Sequence, residues 1–160
     1  IMNQLMSKER NKIIPASYLS LMKDGKILMQ RRFSTGFMDG YYSLVAGHVD
    51  RGENFTGAII REAREESGID LKSEDLKMVH IMHRDSRIDY PQGVAEGVNE
   101  RVDVFFTADK WEGEIKNMEP NKCDDLSWFD LKNLPDNTIP YVKQAIDCIM
   151  KEQFYSEFGW

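Results

Sequence analysis

Three glutamates in the middle of the chain have the type and spacing needed to hold a metal ion. Glu62, Glu65 and Glu66 are spaced i, i+3 and i+4, so on a helix they share one face. Like charges at this spacing repel each other and destabilise the helix slightly. A hard divalent cation reverses that cost, because Mg²⁺ takes carboxylate oxygens and keeps positions open for phosphate oxygens. The same spacing is also typical of a solvated acidic helix face.

The helix that must carry these glutamates has a start signal and a stop signal. Asn54 is a favourable N-cap, and Gly68 suits the left-handed residue that ends many helices. Ile59, Ile60 and Ala63 lie about a quarter-turn from the glutamates and give the helix an apolar flank. The sequence therefore predicts a short helix with a buried flank and an open acidic face.

The 23 residues at 47–69 match every fixed position of the signature of one enzyme family. They read GHVDRGENFTGAIIREAREESGI, and the fixed positions are Gly47, Glu53, Arg61-Glu62-Ala63, Glu65-Glu66 and Gly68-Ile69. In this stretch the chain resembles the Nudix hydrolases. One departure lies at the loop entrance, where many members have Pro-Gly-Gly and this chain has Ala46-Gly47-His48. That departure leaves the stiffness of the loop open.

The resemblance implies a reaction and its metal ligands. Nudix hydrolases cleave a pyrophosphate linkage in a nucleoside diphosphate joined to another group, using Mg²⁺ or Mn²⁺ and an attacking water. By resemblance, the metal is held by Glu62, Glu65 and Glu66, with help from a backbone carbonyl at Ala46 or Gly47.

The resemblance also implies supporting roles and a fold. Arg61 and Glu53 are expected to brace the loop against the helix, which would fix the metal ligands in place. The implied fold is α/β, an α/β/α sandwich on a mixed β-sheet, with residues 1–160 as a single domain. Strands that alternate with two separated helices favour the same architecture.

The general base is expected outside the helix. In some relatives a carboxylate near the start of the penultimate strand assists, and the matching region here offers Glu119, Asp124 and Asp125. Asp125 ranks first because it is nearest the predicted strand. An exposed loop acid is the alternative, and Glu62 or Glu66 is then the better candidate for the base.

Four further residues are candidates for substrate binding. Arg31 and Arg32 follow a predicted hairpin, where they could contact phosphate or be solvated at a strand end. Asp136 and Asn137 precede the last helix, where resembling enzymes carry base-reading side chains. The Asn137 amide offers a donor and an acceptor together, although it could equally cap the helix.

The remaining elements follow from turn signals and periodicity. An Asp24-Gly25 turn predicts a hairpin between 13–22 and 27–30. Strands are also predicted at 42–46, 76–83, 101–108 and 126–130, and a long surface loop at 84–99. A final helix is capped by Thr138 or Asn137 and has Pro140 in its first turn. The aromatic tail at 152–160 is expected to dock on the body or on a second subunit.

Composition limits the partners. A net charge of −6 argues against a broad surface for nucleic-acid polymers or membranes, which leaves individual nucleotides as the expected partners. Cys123 and Cys148 lack paired metal spacing and favour two partly buried thiols in a reducing cytoplasm. His80 and His83 have no neighbouring ligand residues, so a strand-end or surface role is expected. The protein is expected to be cytoplasmic, as a monomer or homodimer.

Three functions follow from these observations. The first is a metal-dependent pyrophosphohydrolase that converts a nucleoside triphosphate, which could be a modified one, to the monophosphate and pyrophosphate. The second is a hydrolase of a nucleoside diphosphate sugar or ADP-ribose. The third is a domain that senses a nucleotide without turnover, and the complete set of glutamates argues against it.

Overall fold

The computed structural model describes residues 10–89 and 99–160, and within these ranges the chain forms nine strands and two α-helices. The strands are β1 (Ile14–Leu19), β2 (Met22–Lys23), β3 (Lys26–Arg32), β4 (Tyr42–Ser43), β5 (Val45–His48), β6 (Leu76–Asp85), β7 (Glu100–Ala108), β8 (Cys123–Asp130) and β9 (Tyr155–Phe158). The helices are α1 (Phe55–Ser67) and α2 (Pro140–Met150). Short 3-10 turns lie at Ser73–Asp75 and Ser86–Asp89.

The strands form two sheets. The larger sheet is mixed and has the order β5-β1-β7-β6-β9, with β1 parallel to β7 and β6 parallel to β9. In the smaller sheet β3 pairs antiparallel with β2, β4 and β8. The strands predicted at 76–83, 101–108 and 126–130 are confirmed as β6, β7 and β8.

The two helices cover opposite faces of the larger sheet. Tyr18 and Phe105 pack in the core cluster that contains the buried side of α2. Their neighbours in sequence, Leu19 and Phe106, pack in the cluster that contains Ile59 and the rest of the buried side of α1. Because successive residues of a strand point to opposite faces, the sheet lies between the helices. This confirms the α/β/α arrangement on a mixed sheet.

Helix α1 begins and ends where the sequence predicts. The Asn54 side chain accepts a hydrogen bond from the Gly57 backbone N–H at 2.7 Å, which satisfies one of the free donors of the first turn. Gly68 ends the helix in the left-handed conformation, with φ of 73°. Ile59 and Ala63 are fully buried, so the predicted apolar flank is the buried one.

The predicted first hairpin is only partly right. The Asp24-Gly25 turn joins β2 and β3, and both residues have positive φ as this tight turn requires. The prediction that 13–22 forms one strand of that hairpin is wrong, because β1 ends at Leu19 and pairs with β5 and β7. The predicted strand at 42–46 also divides, since β4 pairs in the smaller sheet and β5 in the larger one.

The predicted surface loop at 84–99 is wrong at its start. Arg84 and Asp85 belong to β6, and both are buried, as is Ser86 in the following 3-10 turn. The ion pair between Arg84 and Asp103 on β7 compensates the burial of the Arg84 charge, and Asp85 pairs with Arg87. Residues 90–98 of the predicted loop lie outside the described residues.

The predicted caps of the last helix are also wrong. Ile139 occupies the N-cap position of α2 and makes no side-chain cap bond, whereas Pro140 lies in the first turn as predicted. The Asn137 amide donates to the Gly40 carbonyl at 2.7 Å, and the Thr138 hydroxyl donates to the Pro135 carbonyl at 2.7 Å. Thr138 thus stabilises the turn before α2, and Asn137 connects that turn to the distant loop at Gly40.

The aromatic tail docks on the body of the protein, as one of the two predicted outcomes. Strand β9 pairs with β6, and the Trp160 indole donates to the His83 carbonyl at 3.2 Å. His80 is completely buried in β6 and contacts Gln153 and Ser156, so the expectation of a strand-end or surface role is wrong for it.

The structure describes both cysteines and both α-helices. Cys123 and Cys148 are buried free thiols, which agrees with the prediction of buried thiols. Among the described helices, none combines the length and the apolar character required to cross a bilayer.

Candidate active site

A cavity of about 430 Å³ opens beside the acidic face of α1. The acidic end of its wall is formed by Gly47, Glu62, Glu65 and Glu66. The wall also contains Arg84, Tyr18 and Tyr141, and the two tyrosines belong to the core cluster that includes the buried side of α2. A volume in this range fits a small-molecule ligand. The three glutamates predicted to act together therefore share one cavity.

Glu66 is the most deeply placed of the three carboxylates. It accepts hydrogen bonds from the Ala46 backbone N–H at 2.9 Å and from the Gln30 amide at 2.8 Å. The Glu66 residue keeps some exposed area, but its carboxylate is closely surrounded by protein. Burial, reinforced by the charges of Glu62 and Glu119, raises the pKa of Glu66 to about 8. The carboxylate is thus buried beside two other carboxylates.

Gly47 allows the close approach of Glu62. A Cβ atom at residue 47 would lie 1.8 Å from Glu62 Oε1, which no side chain could tolerate without movement. Burial raises the pKa of Glu62, and the neighbouring Arg61 opposes that shift. A glycine at this position is therefore required by contact with the carboxylate.

Arg61 connects the loop to the helix through hydrogen bonds to both. Its guanidinium donates to Glu53 Oε1 and Oε2 at 3.0 and 3.1 Å, and to the His48 carbonyl at 3.1 Å. It also donates to Glu62 at 2.6 Å and to Glu65 at 3.3 Å. These hydrogen bonds lower the pKa of Glu53 and raise that of Arg61. The geometry agrees with the bracing role implied by the resemblance.

The acidic end has the chemistry of a site for a hard cation. Its donors are carboxylate oxygens, and burial beside other carboxylates disfavours the charged form of Glu66, which a bound cation would stabilise. Within residues 10–89 and 99–160, however, no three acidic, histidine or cysteine side chains converge closely enough to hold a metal ion. Arg61 draws Glu62 and Glu65 towards itself in this conformation, so both carboxylates must turn from Arg61 to ligate a metal together with Glu66.

The structure brings only one of the four predicted substrate-binding residues into the cavity. Arg32 lines it and donates to the Phe37 carbonyl at 2.6 Å and to the Thr35 hydroxyl at 2.9 Å. Arg31 lies outside and forms a two-bond pair with Asp124.

Asp136 and Asn137 do not line the cavity either. Asp136 is exposed on the segment before α2, and Asn137 is engaged with the Gly40 carbonyl. Their position in the sequence is the one expected from the resemblance, but the structure does not bring their side chains to the glutamates.

Asp125, the first-ranked candidate for the base, is also absent from the cavity wall. Its two carboxylate oxygens accept hydrogen bonds from the Tyr42 and Ser127 hydroxyls. Glu119, which the sequence offered as an alternative, does line the cavity together with Lys122, and the two form an ion pair at 2.8 Å. The order of the two candidates is therefore reversed by the geometry.

Sequence reasoning missed several cavity residues. Gln30 carried a usable signal, because it directly follows the apolar run of β3, and a buried polar side chain requires a hydrogen-bond partner. Tyr18, Arg84 and Tyr141 carried none, since they come from three separate elements that only the sheet order brings together.

Comparison with known proteins agrees with the motif. The family model described as NUDIX domain matches residues 15–149 of the chain. The chain belongs to the Nudix hydrolase family. Members of this family act on phosphoric anhydrides and use divalent metal ions, so the acidic end of the cavity in this Nudix hydrolase is where such an ion is expected.

Two curated relatives of this Nudix hydrolase carry specific names. The NAD-capped RNA hydrolase NudC of Pseudomonas putida is 29% identical over 125 residues, which is 78% of this chain and 39% of the relative. The ADP-ribose pyrophosphatase of Methanocaldococcus jannaschii is 33% identical over 114 residues, which is 71% of this chain and 59% of the relative. The chain thus spans about two-fifths of the length of NudC.

Solved structures show the same fold as this Nudix hydrolase. The MutT NUDIX hydrolase from Burkholderia pseudomallei has a TM-score of 0.71 at 24% identity, covering 86% of this chain and 98% of that one. A bifunctional NMN adenylyltransferase/ADP ribose pyrophosphatase from Francisella tularensis, complexed with AMP and a Mn ion, has a TM-score of 0.65 at 23% identity. That alignment covers 91% of this chain and 43% of the other.

Proposed function

We propose that the protein is a Mg²⁺-dependent pyrophosphohydrolase that cleaves the diphosphate linkage of a nucleotide. The observation that carries the proposal is the cavity whose one end holds Glu62, Glu65 and Glu66. Glu66 is held there by the Ala46 N–H and the Gln30 amide although its charge is costly to bury. A buried carboxylate with a shifted pKa at a cavity wall is typical of functional sites.

The chain supplies the groups that would hold the ion and the substrate. Glu62, Glu65 and Glu66 offer carboxylate oxygens, and Ala46 and Gly47 bring the backbone to the same wall. A bound Mg²⁺ would polarise phosphoryl oxygens and lower the pKa of an attacking water. Arg61 and Glu53 hold the loop against the helix, so that the backbone of the proposed metal site keeps its arrangement when the carboxylates turn to the ion.

Glu119 is the better candidate for the group that takes a proton from water. It lines the cavity and lies close enough to Glu62 and Glu66 to raise their pKa values. Asp125 faces Tyr42 and Ser127 instead. A base must reach the proton that it abstracts, so geometry favours Glu119.

Glu119→Gln is expected to lower kcat by about 100-fold or more, which is the usual contribution of a general base. Asp125→Asn should keep near-normal turnover, because its carboxylate is engaged outside the cavity. Steady-state turnover of both variants at saturating Mg²⁺ decides between them. The opposite ranking would restore Asp125, and near-normal turnover in both would leave Glu62 or Glu66 as the base.

Two substrate classes fit the proposal. A nucleoside triphosphate would give the monophosphate and pyrophosphate, whereas ADP-ribose would give AMP and ribose 5-phosphate. The relative named ADP-ribose pyrophosphatase, which is 33% identical over 71% of this chain, favours the second class. The protein is proposed to act as a monomer or homodimer in the cytoplasm.

The experiment that tests the proposal is a substrate panel with identified products. We expect Mg²⁺-dependent release of a nucleoside monophosphate from at least one triphosphate, sugar nucleotide or ADP-ribose. Mn²⁺ is the comparison metal, and chelator is the negative control. Absence of turnover across the panel, with metal binding confirmed separately, would favour a nucleotide sensor.

A further inference from the structure

The wall of the cavity contains a buried arginine in addition to the glutamates. The side chain of Arg84 is only 3% exposed, yet it lines the cavity wall. The residue lies on β6, in the region that the sequence suggested was a surface loop. A buried guanidinium at a ligand cavity has a structural role, a binding role or both.

Three neighbours fix the Arg84 guanidinium. Its Nε donates to Asp103 at 2.8 Å, and its Nη1 donates to Asp89. The guanidinium carbon lies 3.7 Å from the centre of the Tyr141 ring, which is close stacking. The Tyr141 hydroxyl is in turn 3.2 Å from the Tyr18 hydroxyl. The orientation of the guanidinium is therefore set before any ligand binds.

This arrangement leaves donors unused. An arginine has five N–H donors, and the two bonds to Asp103 and Asp89 use one on Nε and one on Nη1. Among residues 10–89 and 99–160, no side-chain or backbone oxygen accepts from Nη2 of Arg84. The remaining donors, to which no residue in the described ranges offers an acceptor, belong to a residue of the cavity wall.

Charge decides what kind of group suits these donors. The carboxylates of Asp103 and Asp89 are balanced by Arg84 and by Arg101, which also lines the cavity and acts on both, so these groups add no net positive charge that would attract a further phosphate. A neutral acceptor is the better partner. Asp89 also lines the cavity and places an acceptor beside the arginine donors. Together, the Arg84 donors and the Asp89 acceptor complement a ligand whose edge carries an acceptor next to a donor.

The same cavity also contains two planar groups that lie against each other. The Arg32 guanidinium carbon lies 5.2 Å from the centre of the Phe37 ring, and both residues line the cavity. Aromatic and guanidinium planes stack well on a flat heterocycle. A nucleobase has both required properties, a flat face and an edge with a donor beside an acceptor.

We propose that Arg84 is a specificity-determining residue that binds the edge of the substrate nucleobase, with Asp103 as the residue that positions it. The inference rests on the proposed function only for the identity of the ligand, a nucleotide whose phosphates lie at the glutamates. A purely structural ion pair is the rival explanation. Stability alone is a weak reason for such a pair, because buried ion pairs are often replaceable by apolar residues without loss.

The test measures binding and needs no turnover. Calorimetry with Mg²⁺ uses two series of non-hydrolysable analogues, the α,β-methylene nucleoside triphosphates and the α,β-methylene nucleoside diphosphate riboses of the four bases. Each series is compared with its counterpart that lacks the base. Wild-type protein is expected to bind one base-bearing analogue about 10-fold or more tightly than the base-less one, as a bidentate contact provides. Arg84→Lys keeps the charge but loses the planar fork, so it should lose most of this preference while base-less binding stays unchanged.

Arg87→Lys is the matched control. Arg87 also pairs with a carboxylate, that of Asp85, but its side chain is 61% exposed and does not line the cavity. It should retain the wild-type preference. A folded Arg84→Lys variant with an unchanged preference, or a wild-type protein without one, would overturn the inference.

A second variant covers the case in which Arg84→Lys does not fold. Asp89→Asn leaves Arg84 paired with Asp103 and converts the neighbouring acceptor into an amide, which can also donate. It is expected to change the ranking of the four bases, and an unchanged ranking would count against the inference. Wild-type turnover is measured separately, so a failure of the proposed function is recognised as a different result.

Discussion

Glu66→Gln is expected to abolish turnover while making the metal-free protein more stable at alkaline pH. The substitution keeps the size of the side chain and removes one charge from the proposed metal site. Turnover should fall by orders of magnitude, because a weakly held cation no longer stabilises charge on the phosphates in the transition state. The oxygen of the new amide can still accept from the Ala46 N–H, so the fold keeps this contact.

The pH dependence gives the sign of the stability effect. The pKa of Glu66 is about 8 in the folded protein and has its ordinary value near 4.5 in the unfolded chain. The unfolded chain therefore loses this proton first, and metal-free stability should decline as the pH rises from about 4.5 to about 8. The loss is expected to be a few kcal/mol at most, since the cavity is open to solvent. Glu66→Gln removes the part of this decline that is due to Glu66.

The prediction is tested by two measurements. One is the melting temperature in chelator between about pH 5 and pH 9, and the other is turnover at saturating Mg²⁺. Glu65→Gln is the matched variant, because its carboxylate is 53% exposed. It should lose turnover as severely but keep the wild-type pH dependence of stability. If Glu66→Gln retained turnover, or if folding and activity collapsed together, the metal-site assignment of this helix face would be wrong.

Gly47→Ala is expected to lower turnover by about 100-fold or more with a smaller effect on folding. The new Cβ would lie 1.8 Å from Glu62 Oε1, so the carboxylate must move away from the cavity wall. A displacement of about 1 Å in a positioned catalytic group commonly costs this much in rate. The side chain of Glu62 is 14% exposed and can shift towards solvent, which spares the fold.

Gly57→Ala is the matched control for this substitution. Gly57 lies in the first turn of α1, and a Cβ there would meet nothing closer than Asn54 Oδ1 at 3.2 Å. Turnover should stay near normal, because a Cβ at this position would contact none of the three glutamates. Steady-state kinetics and melting curves of both variants test the prediction. Equal turnover in the two alanine variants would show that the contact between Gly47 and Glu62 is unimportant.

Features specified by neighbouring residues were predictable from the sequence. The start and end of α1 depend on Asn54 and Gly68, whose capping bonds reach only three or four residues. The acidic face and its family resemblance are equally local. The prediction of a turn at Asp24-Gly25 was right for the same reason.

Features that depend on distant partners were not predictable. The turn chemistry contained no information that β1 pairs with β5 and β7 rather than with β3. Arg84 follows a strand signal, but its burial depends on Asp103, which is 19 residues away. The placement of Asp125 outside the cavity depends likewise on the Tyr42 hydroxyl, 83 residues away. Such contacts are determined by the order of strands in the sheets.

The pairing of β9 with β6 has a consequence for folding kinetics. His80 on β6 contacts Ser156, which lies 76 residues further along the chain. Contacts of such high sequence separation slow folding, because the loop must close before the contact contributes. Until β9 is in place, the edge of β6 is unpaired, and unpaired edges promote aggregation. Strand β9, whose Phe158 lies opposite Arg84, is thus expected to be among the last elements to be secured, and the side of β6 that carries Arg84 stays open until then.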